Sequence, residues 1–205
     1  MIELFHSRGT RGFRVILACE ELGTPYSITA VDFSVEYRAT PEWRRMHPVG
    51  KVPVMRDGAI TIFESGAMVQ HILDCYGDGR LQPALGTSER AEYLQWCWFA
   101  ESTFSRPLGE ITNHRREFKP PIDACMEEMR VRARLCLYAL DAHLDGREFL
   151  LAGGYSGADI MMSYSVRGFC RHCPDDVLPS RVAAYYDRLC ARPSWISASA
   201  VDAGE

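Results

Sequence analysis

The sequence predicts a small α/β domain followed by an all-helical domain. Short apolar strands alternate with helices up to about residue 78, whereas the later apolar segments have helical spacing. A stretch rich in glycine and turn-forming residues separates the two patterns. We therefore expect an α/β domain over 1–78, a linker over 79–87 and a helical domain over 88–205.

The first domain has the predicted order β-α-β-α-β-β-α. The predicted elements are a strand over 2–6, a helix over 11–23, a strand over 26–31, a helix over 40–47, a hairpin over 53–63 and a helix over 65–77. Gly23 is a typical helix terminator. Thr40 and Pro41 suit an N-cap and a first helical position. Asp57-Gly58 is a strong hairpin-turn signal.

The second domain contains only helical patterns. Helices are predicted over 88–113, 122–144, 155–170 and 180–195. Pro107 should kink or interrupt the first of these, and Pro193 should end the last. Ser156 and Asp159 have the S-x-x-D spacing of a capping box, so we interpret them as a helix start without a chemical role.

Composition excludes several classes of function. The chain has 205 residues, an apolar fraction of 47% and a net charge of −4, which gives no electrostatic case for binding nucleic acid or an anionic membrane. The first residues lack the apolar core of a signal peptide, and no segment approaches the roughly 20 apolar residues of a membrane span. We expect a cytoplasmic protein with neither nucleic acid nor membrane as a partner.

The eight cysteines have no regular spacing, and reduced thiols are the better prediction than a disulfide framework. Cys170 and Cys173 form a C-x-x-C motif, which suits a redox pair or half of a zinc site. Zinc needs further ligands, and no second pair of cysteines or histidines has a suitable spacing. The motif is therefore interpreted as structural, and no metal is expected.

Val52-Pro53 precedes the third strand. A proline fits at a strand start because it cannot donate to the sheet, and a trans bond is the ordinary case. A cis bond would leave the Val52 backbone facing outward, free to pair with an extended peptide ligand. Both alternatives are open at this point.

Glu64-Ser65 opens the helix after the hairpin. Taken alone, the pair is a helix start in which Ser65 caps and Glu64 favours the positive helix end. The alternative is a binding site, where amide groups and the Ser65 hydroxyl hold a carboxylate while Glu64 holds an amine. Such a pair would grip an α-amino-acid head group.

The segment "SRGTRGFRV" leads into the first helix. Thr10 is the predicted N-cap, and the arginines, including Arg14, are expected to be solvated. A hydroxyl and amide groups at a helix N-terminus would also stabilise a thiolate. Because this loop contains no cysteine, such a thiolate would come from the substrate.

These motifs together resemble the cytosolic glutathione S-transferases. The resemblance rests on the element order, on G-K-V-P followed by E-S-G-A, and on the later S-x-x-D, and it covers essentially the whole chain. It implies a thioredoxin-like first domain. The opening loop is similar to that of bacterial and fungal members that use a hydroxyl rather than a tyrosine or a cysteine.

The resemblance implies a glutathione site. Pro53 would be cis, Val52 would pair with the cysteinyl part, and Glu64 and Ser65 would hold the γ-glutamyl end. Lys51 would sit near the glycine carboxylate. Glu101 in the helical domain would reach the γ-glutamyl amine, across a dimer interface, or else lie on a solvated helix face; the two are equally weighted.

The resemblance also implies a reaction. Thr10 is nearest the position of the catalytic hydroxyl, Ser7 is the reserve, and Arg11 would add positive charge. The implied activity is conjugation of glutathione, the co-substrate, with a small electrophile, in a homodimer. The alternatives are a glutathione-dependent isomerase or dehalogenase, and a non-catalytic glutathione-binding or regulatory protein of the same fold.

Overall fold

The computed structural model describes residues 1–204 and divides the chain into two compact units. One unit contains residues 1–80 together with those from Ala191 onward, and the other contains Leu81–Cys190. This division differs from the sequence-based one mainly at the C-terminal end, where the last segment returns to the first unit.

The first unit is built on a four-stranded sheet. Its strands are β1 (Ile2–His6), β2 (Tyr26–Ala30), β3 (Val54–Asp57) and β4 (Ile60–Phe63). Their spatial order is β2-β1-β3-β4, in which β1 and β2 are parallel and β3 is antiparallel to both of its neighbours. The predicted strands and the hairpin are confirmed, but the turn is Gly58-Ala59 (Gly58 φ 57°), one residue later than predicted, because Asp57 still pairs with Ile60.

The helices within residues 1–80 follow the predicted order with one addition. They are α1 (Phe13–Leu22), α2 (Val35–Ala39), α3 (Pro41–Met46) and α4 (Ser65–Tyr76). Gly23 ends α1 in a left-handed conformation, and the Thr40 hydroxyl accepts from the Trp43 amide at the start of α3. The short α2, which was not predicted, starts at a Ser34 cap.

The second unit is helical. Its elements are α5 (Ser88–Trp98), a π-helix (Phe99–Phe104), α6 (Ser105–Glu117), α7 (Asp123–His143), α8 (Gly157–His172) and α9 (Ser180–Cys190). The predicted capping box is present at the start of α8. Burial raises the pKa of Asp159 to about 6, although hydrogen bonds from Leu150, Ser156 and Tyr185 work in the opposite direction. These buried contacts support the interpretation of Ser156 and Asp159 as a helix start without a chemical role.

The predicted interruption of the first long helix occurs at the π-helix, just before Pro107. Pro107 is the third residue of α6, where a missing amide is tolerated. The carbonyl of Thr103, four residues earlier, instead lies 3.8 Å from the Cys136 thiol. The Ala100 carbonyl accepts the hydroxyls of Ser105 and Ser165. The Ala100 carbonyl also accepts from the Ser105 amide, whereas the Cys136 thiol approaches the carbonyl for which Pro107 has no amide.

The last helix corrects the sequence-based prediction. Pro193 does not simply end a helix; it is the first residue of α10 (Pro193–Ala203), which packs on α1 within the first unit. Arg192 makes a two-pronged ion pair with Glu21 at 2.6 and 2.8 Å. The rings of Phe13 and Trp195 meet edge to face at 4.8 Å. These contacts explain why the segment belongs to the α/β unit.

All eight cysteines are free thiols. Within residues 1–204, no cluster of three or more His, Cys, Asp or Glu side chains is placed to hold a metal ion. In the same residues, no helix has both the length and the apolar character needed to cross a membrane.

Candidate functional site

Three segments of the first unit meet at one end of the sheet. Phe5 of β1 pairs with Val54 of β3, and Val54 pairs with Phe63 of β4. The loop after β1 (7–12), the segment before β3 (50–53) and the start of α4 therefore lie at the same edge. The sheet register brings together the sequence-predicted residues of this unit.

The segment before β3 carries the cis Val52-Pro53 bond that the resemblance implies. Pro53 is buried, Val52 is half-buried and Lys51 is exposed. The Trp43 indole donates to the Lys51 carbonyl at 3.2 Å, which fixes this segment against α3. Gly50 has a φ of 63°, and an added Cβ would lie 2.3 Å from the Arg38 carbonyl oxygen. Only glycine fits that position.

The start of α4 is not capped as predicted. Glu64 occupies the N-cap position with a φ of 78°, and Ser65 is the first helical residue. The Ser65 hydroxyl is buried and accepts from Arg14 Nη1 at 3.3 Å. Because a hydroxyl that accepts still carries its own proton, Ser65 retains a donor for a ligand.

Arg14 corrects the expectation that the loop arginines are solvated. Its side chain is fully buried in α1, beside the N-terminus of α4. A buried guanidinium next to a helix N-terminus places positive charge where an anionic group would bind. Sequence analysis did not assign Arg14 to the site.

The two candidate hydroxyls differ in accessibility. Ser7 is buried and donates to the Val31 carbonyl at 2.6 Å. Thr10 is half-exposed and donates to the Ser7 carbonyl at 2.7 Å. Thr10 is not the N-cap of α1, since that position is occupied by Gly12. Of the two hydroxyls, only that of Thr10 can turn to a ligand without leaving a buried position.

A buried histidine and a buried aspartate fix the position of the loop after β1 (7–12). His6 Nε2 lies 2.9 Å from Asp202 Oδ1, and the Gly9 amide donates to the same oxygen at 2.9 Å. Since a carboxylate only accepts, Nε2 is the donor and Nδ1 faces Thr10 Oγ1 at 3.3 Å. Neither His6 nor Asp202 was predicted, because 196 residues separate them.

Gly12 is needed where α1 passes His6. A Cβ at this position would lie 2.2 Å from His6 Nδ1. Any larger residue would displace the imidazole from Asp202 or move the start of α1. The glycine therefore belongs to the same arrangement as the buried pair.

His47 is a further titratable group at this edge of the sheet. It is buried, and its ring lies 5.0 Å from that of Phe63. Burial lowers the pKa of His47, and the nearby charge of Glu64 partly opposes this shift. The imidazole is therefore neutral at neutral pH.

Two predicted site residues, Arg11 and Glu101, remain to be placed. Arg11 is half-exposed in the loop before α1. Glu101 lies in the second unit, half-buried on the π-helix. Its contact with a ligand stays a prediction.

The fold is that of a glutathione S-transferase-like protein. Residues 1–74 match the family model described as glutathione S-transferase, N-terminal domain. The chain is 33% identical over 180 residues to glutathione S-transferase 3 of Schizosaccharomyces pombe, covering 81% of this chain and 73% of that protein. The chain therefore belongs to the glutathione S-transferase family.

Two further relatives cover nearly the whole chain. The disulfide-bond oxidoreductase YfcG of Escherichia coli is 27% identical over 201 residues, covering 95% of this chain and 92% of that protein. A solved glutathione transferase family member from Pseudomonas fluorescens, with two glutathione molecules bound, is 27% identical with a TM-score of 0.83. That match covers 97% of this chain and 92% of the solved one.

Proposed function

We propose that this protein binds glutathione at the edge formed by the β1 loop, the cis-proline segment and the start of α4, and that it activates the glutathione thiol for attack on a small electrophile. The observation that carries the proposal is the Arg14–Ser65 contact at an α4 N-terminus that begins with an exposed carboxylate. Positive and negative groups lie side by side there, as an α-amino-acid head group requires.

Each part of glutathione has a matching partner in the proposal. The γ-glutamyl carboxylate accepts hydrogen bonds from the Ser65 hydroxyl and the first amides of α4, and the buried Arg14 adds positive charge next to them. The γ-glutamyl ammonium pairs with the Glu64 carboxylate. The backbone of Val52 pairs with the cysteinyl residue as an added strand would, and Lys51 takes the glycine carboxylate.

The thiol is activated by the loop before α1. A free thiol has a pKa of roughly 8.5, and each unit by which it is lowered corresponds to about 1.4 kcal/mol in favour of the thiolate. Thr10 supplies the hydrogen bond by turning its proton from the Ser7 carbonyl to the sulfur. His6 and Asp202 hold the loop in place for that turn.

The thiolate then attacks an electrophile and forms a carbon–sulfur bond as the leaving group departs. We propose that this occurs in a homodimer, in which Glu101 reaches the γ-glutamyl amine. The similarity to a disulfide-bond oxidoreductase makes reduction of a small disulfide by glutathione a second reaction to assay at the same site.

Titration of bound glutathione tests the proposal. Thiolate absorbance is measured against pH with and without protein, and the pKa of the bound thiol is expected to fall towards neutrality. Isothermal titration calorimetry with Ser65→Ala, beside Ser102→Ala on the exposed face of the helical unit as the control, tests the placement. Unchanged affinity in Ser65→Ala would place the head group elsewhere.

A second candidate is a protein that binds glutathione without turnover. It is favoured by the engagement of both loop hydroxyls, since Ser7 and Thr10 donate to backbone carbonyls. Binding with an unshifted thiol pKa and no conjugation of a generic aryl halide would support this candidate. A lowered pKa together with conjugation would exclude it.

A further inference from the structure

A cysteine, a histidine and a carboxylate lie in line at the end of the sheet opposite to the candidate site. Cys75 and His71 are one turn apart on α4, and Cys75 Sγ lies 3.6 Å from His71 Nδ1. His71 Nε2 lies 3.0 Å from Oδ2 of Asp57, the last residue of β3. This sequence of groups is the one that activates nucleophilic thiols.

Hydrogen bonds to Asp57 fix the tautomer of the neutral His71 ring. The Tyr76 hydroxyl donates to Asp57 Oδ2 at 2.6 Å. Hydrogen bonds from Tyr76 and His71 hold the pKa of Asp57 below its usual value. An ionised carboxylate only accepts, so His71 Nε2 donates to it, and in the neutral ring Nδ1 then has a lone pair facing the Cys75 thiol.

The thiol of this group is open to solvent while its partners are sheltered. Cys75 is exposed, whereas the side chains of His71 and Asp57 are 21% and 13% exposed. Cys170 is also exposed, but burial around its sulfur raises its pKa. Cys170 is therefore an exposed thiol whose surroundings disfavour the thiolate, and the effect of His71 is tested by comparing Cys75 with and without the His71→Gln substitution.

We propose that Cys75 is a reactive thiol that undergoes exchange with small disulfides, oxidised glutathione among them, with His71 as the proton acceptor and Asp57 as the positioning residue. The proton of Cys75 moves to His71 Nδ1, and the thiolate attacks one sulfur of the disulfide. A new sulfur–sulfur bond forms at Cys75, the original one breaks, and the electron pair leaves with the other half as a thiolate. The product is a mixed disulfide on Cys75.

Two other titratable groups near the triad keep their protons at neutral pH. Hydrogen bonding to Asp57 raises the pKa of Tyr76 to about 12, and burial does the same for Cys19 on the neighbouring α1. The amino group of Met1 lies 3.9 Å from Asp57 Oδ1 and favours the ionised carboxylate. Transfer of the Cys75 proton to His71 is the step expected to control the rate of exchange.

This proposal does not depend on the proposed glutathione site. Pro53 precedes β3 and Asp57 ends it, so the strand separates the two places by roughly 13 Å at about 3.3 Å per residue. An aromatic disulfide can therefore react at Cys75 whether or not glutathione binds at the other end. A negative result for Cys75 would therefore leave the proposed glutathione site standing, and a negative result for glutathione binding would leave the Cys75 proposal standing.

The experiment measures exchange cysteine by cysteine. The full chain is treated with dithiobis(nitrobenzoate), and separately with oxidised glutathione, and modified peptides are quantified by mass spectrometry over a range of pH. Cys75 is expected to react faster than Cys170, with a lower pH midpoint. Cys75→Ser should remove the fast fraction of released nitrothiobenzoate.

His71→Gln tests the proton acceptor. Losing the proton acceptor is expected to raise the pH midpoint of the Cys75 reaction and to lower its rate at neutral pH. The rate should fall by roughly threefold for each tenfold loss of thiolate, because higher nucleophilicity offsets part of that loss. Asp57→Asn should shift the midpoint in the same direction and serves if His71→Gln does not fold. A Cys75 rate no higher than that of Cys170, or an unchanged midpoint in the folded variants, would overturn the proposal.

Discussion

Replacing Asp202 by alanine tests whether α10 holds the loop of the candidate site. The substitution leaves two donors, His6 Nε2–H and the Gly9 amide, without their shared acceptor. His6 is buried, and an unsatisfied buried donor costs about 1–3 kcal/mol. The Gly9 amide is only part-buried, so the loss of its hydrogen bond costs about 0.5–1.5 kcal/mol. Asp202 lies in the last turn of α10, where a carboxylate is unfavourable by about 0.3–1 kcal/mol. The net loss of unfolding free energy is therefore expected to be about 1–4 kcal/mol.

Chemical and thermal unfolding followed by circular dichroism measure this loss. For a chain of this size, each kcal/mol lowers the melting temperature by about 2–4 °C, so a fall of about 2–16 °C is expected. Hydrogen exchange at the Gly9 amide gives a local measurement. The loss of one hydrogen bond worth about 1.4 kcal/mol corresponds to exchange about tenfold faster.

Ser197→Ala is the matched control on the same helix. It removes one hydrogen bond at 2.7 Å, from the Ser197 hydroxyl to Glu20, and should cost about 1 kcal/mol without changing Gly9 exchange. Asp202→Asn keeps an acceptor of the same shape and should fall between the control and Asp202→Ala. If Asp202→Ala were as stable as the control, with Gly9 equally protected, α10 would not be what holds the loop.

Three further predictions concern the proposed site. Ser65→Ala should weaken glutathione binding about 10- to 150-fold, the value of a hydrogen bond to a charged group, as measured by calorimetry. Thr10→Ala should lower kcat with little change in glutathione affinity, whereas Ser7→Ala should cost about 1 kcal/mol of stability and leave kcat nearly unchanged; equal effects on kcat would contradict the assignment of Thr10. Because the folded pKa of His47 is lowered, the unfolded chain binds more protons, and stability should be lost as pH falls below about 6.5. His47→Asn should flatten that part of the pH–stability curve.

The predictions that succeeded depend on local signals. The end of α1 at Gly23, the cap of α3 at Thr40 and the presence of a hairpin around Gly58 are each decided by a few neighbouring residues. Backbone conformation and hydrogen bonding at such points are properties of short segments. A single sequence contains that information in full.

Pro193 shows where local signals become ambiguous. Proline disrupts a helix interior but is well suited to the first helical turn, so the same residue can end one helix or begin another. Here α9 ends at Cys190 and α10 begins at Pro193. What attaches α10 to α1 is a set of contacts between distant residues, such as Arg192 with Glu21. No local pattern predicts them.

The sequence contains a pattern that could have predicted the burial of Arg14. Charged residues are rarely buried unless paired, so a solvated arginine was the default expectation. Yet Arg14 lies between Phe13 and Val15 in a helix of which every residue from 13 to 19 is buried. A helix buried on all sides leaves no exposed face for an arginine, and this pattern could have placed Arg14 in the interior.

The opening of α4 shows how a helix start and a binding site differ. A residue other than glycine at a φ of 78° costs roughly 1–3 kcal/mol, and glycine would avoid that cost at Glu64. Ser65 is one position too late to cap, and it contacts a buried arginine instead. Stability of α4 alone would favour glycine or a serine at the N-cap. The strained backbone of Glu64 and the position of the Ser65 hydroxyl are explained if a ligand accepts hydrogen bonds from the first amides of α4.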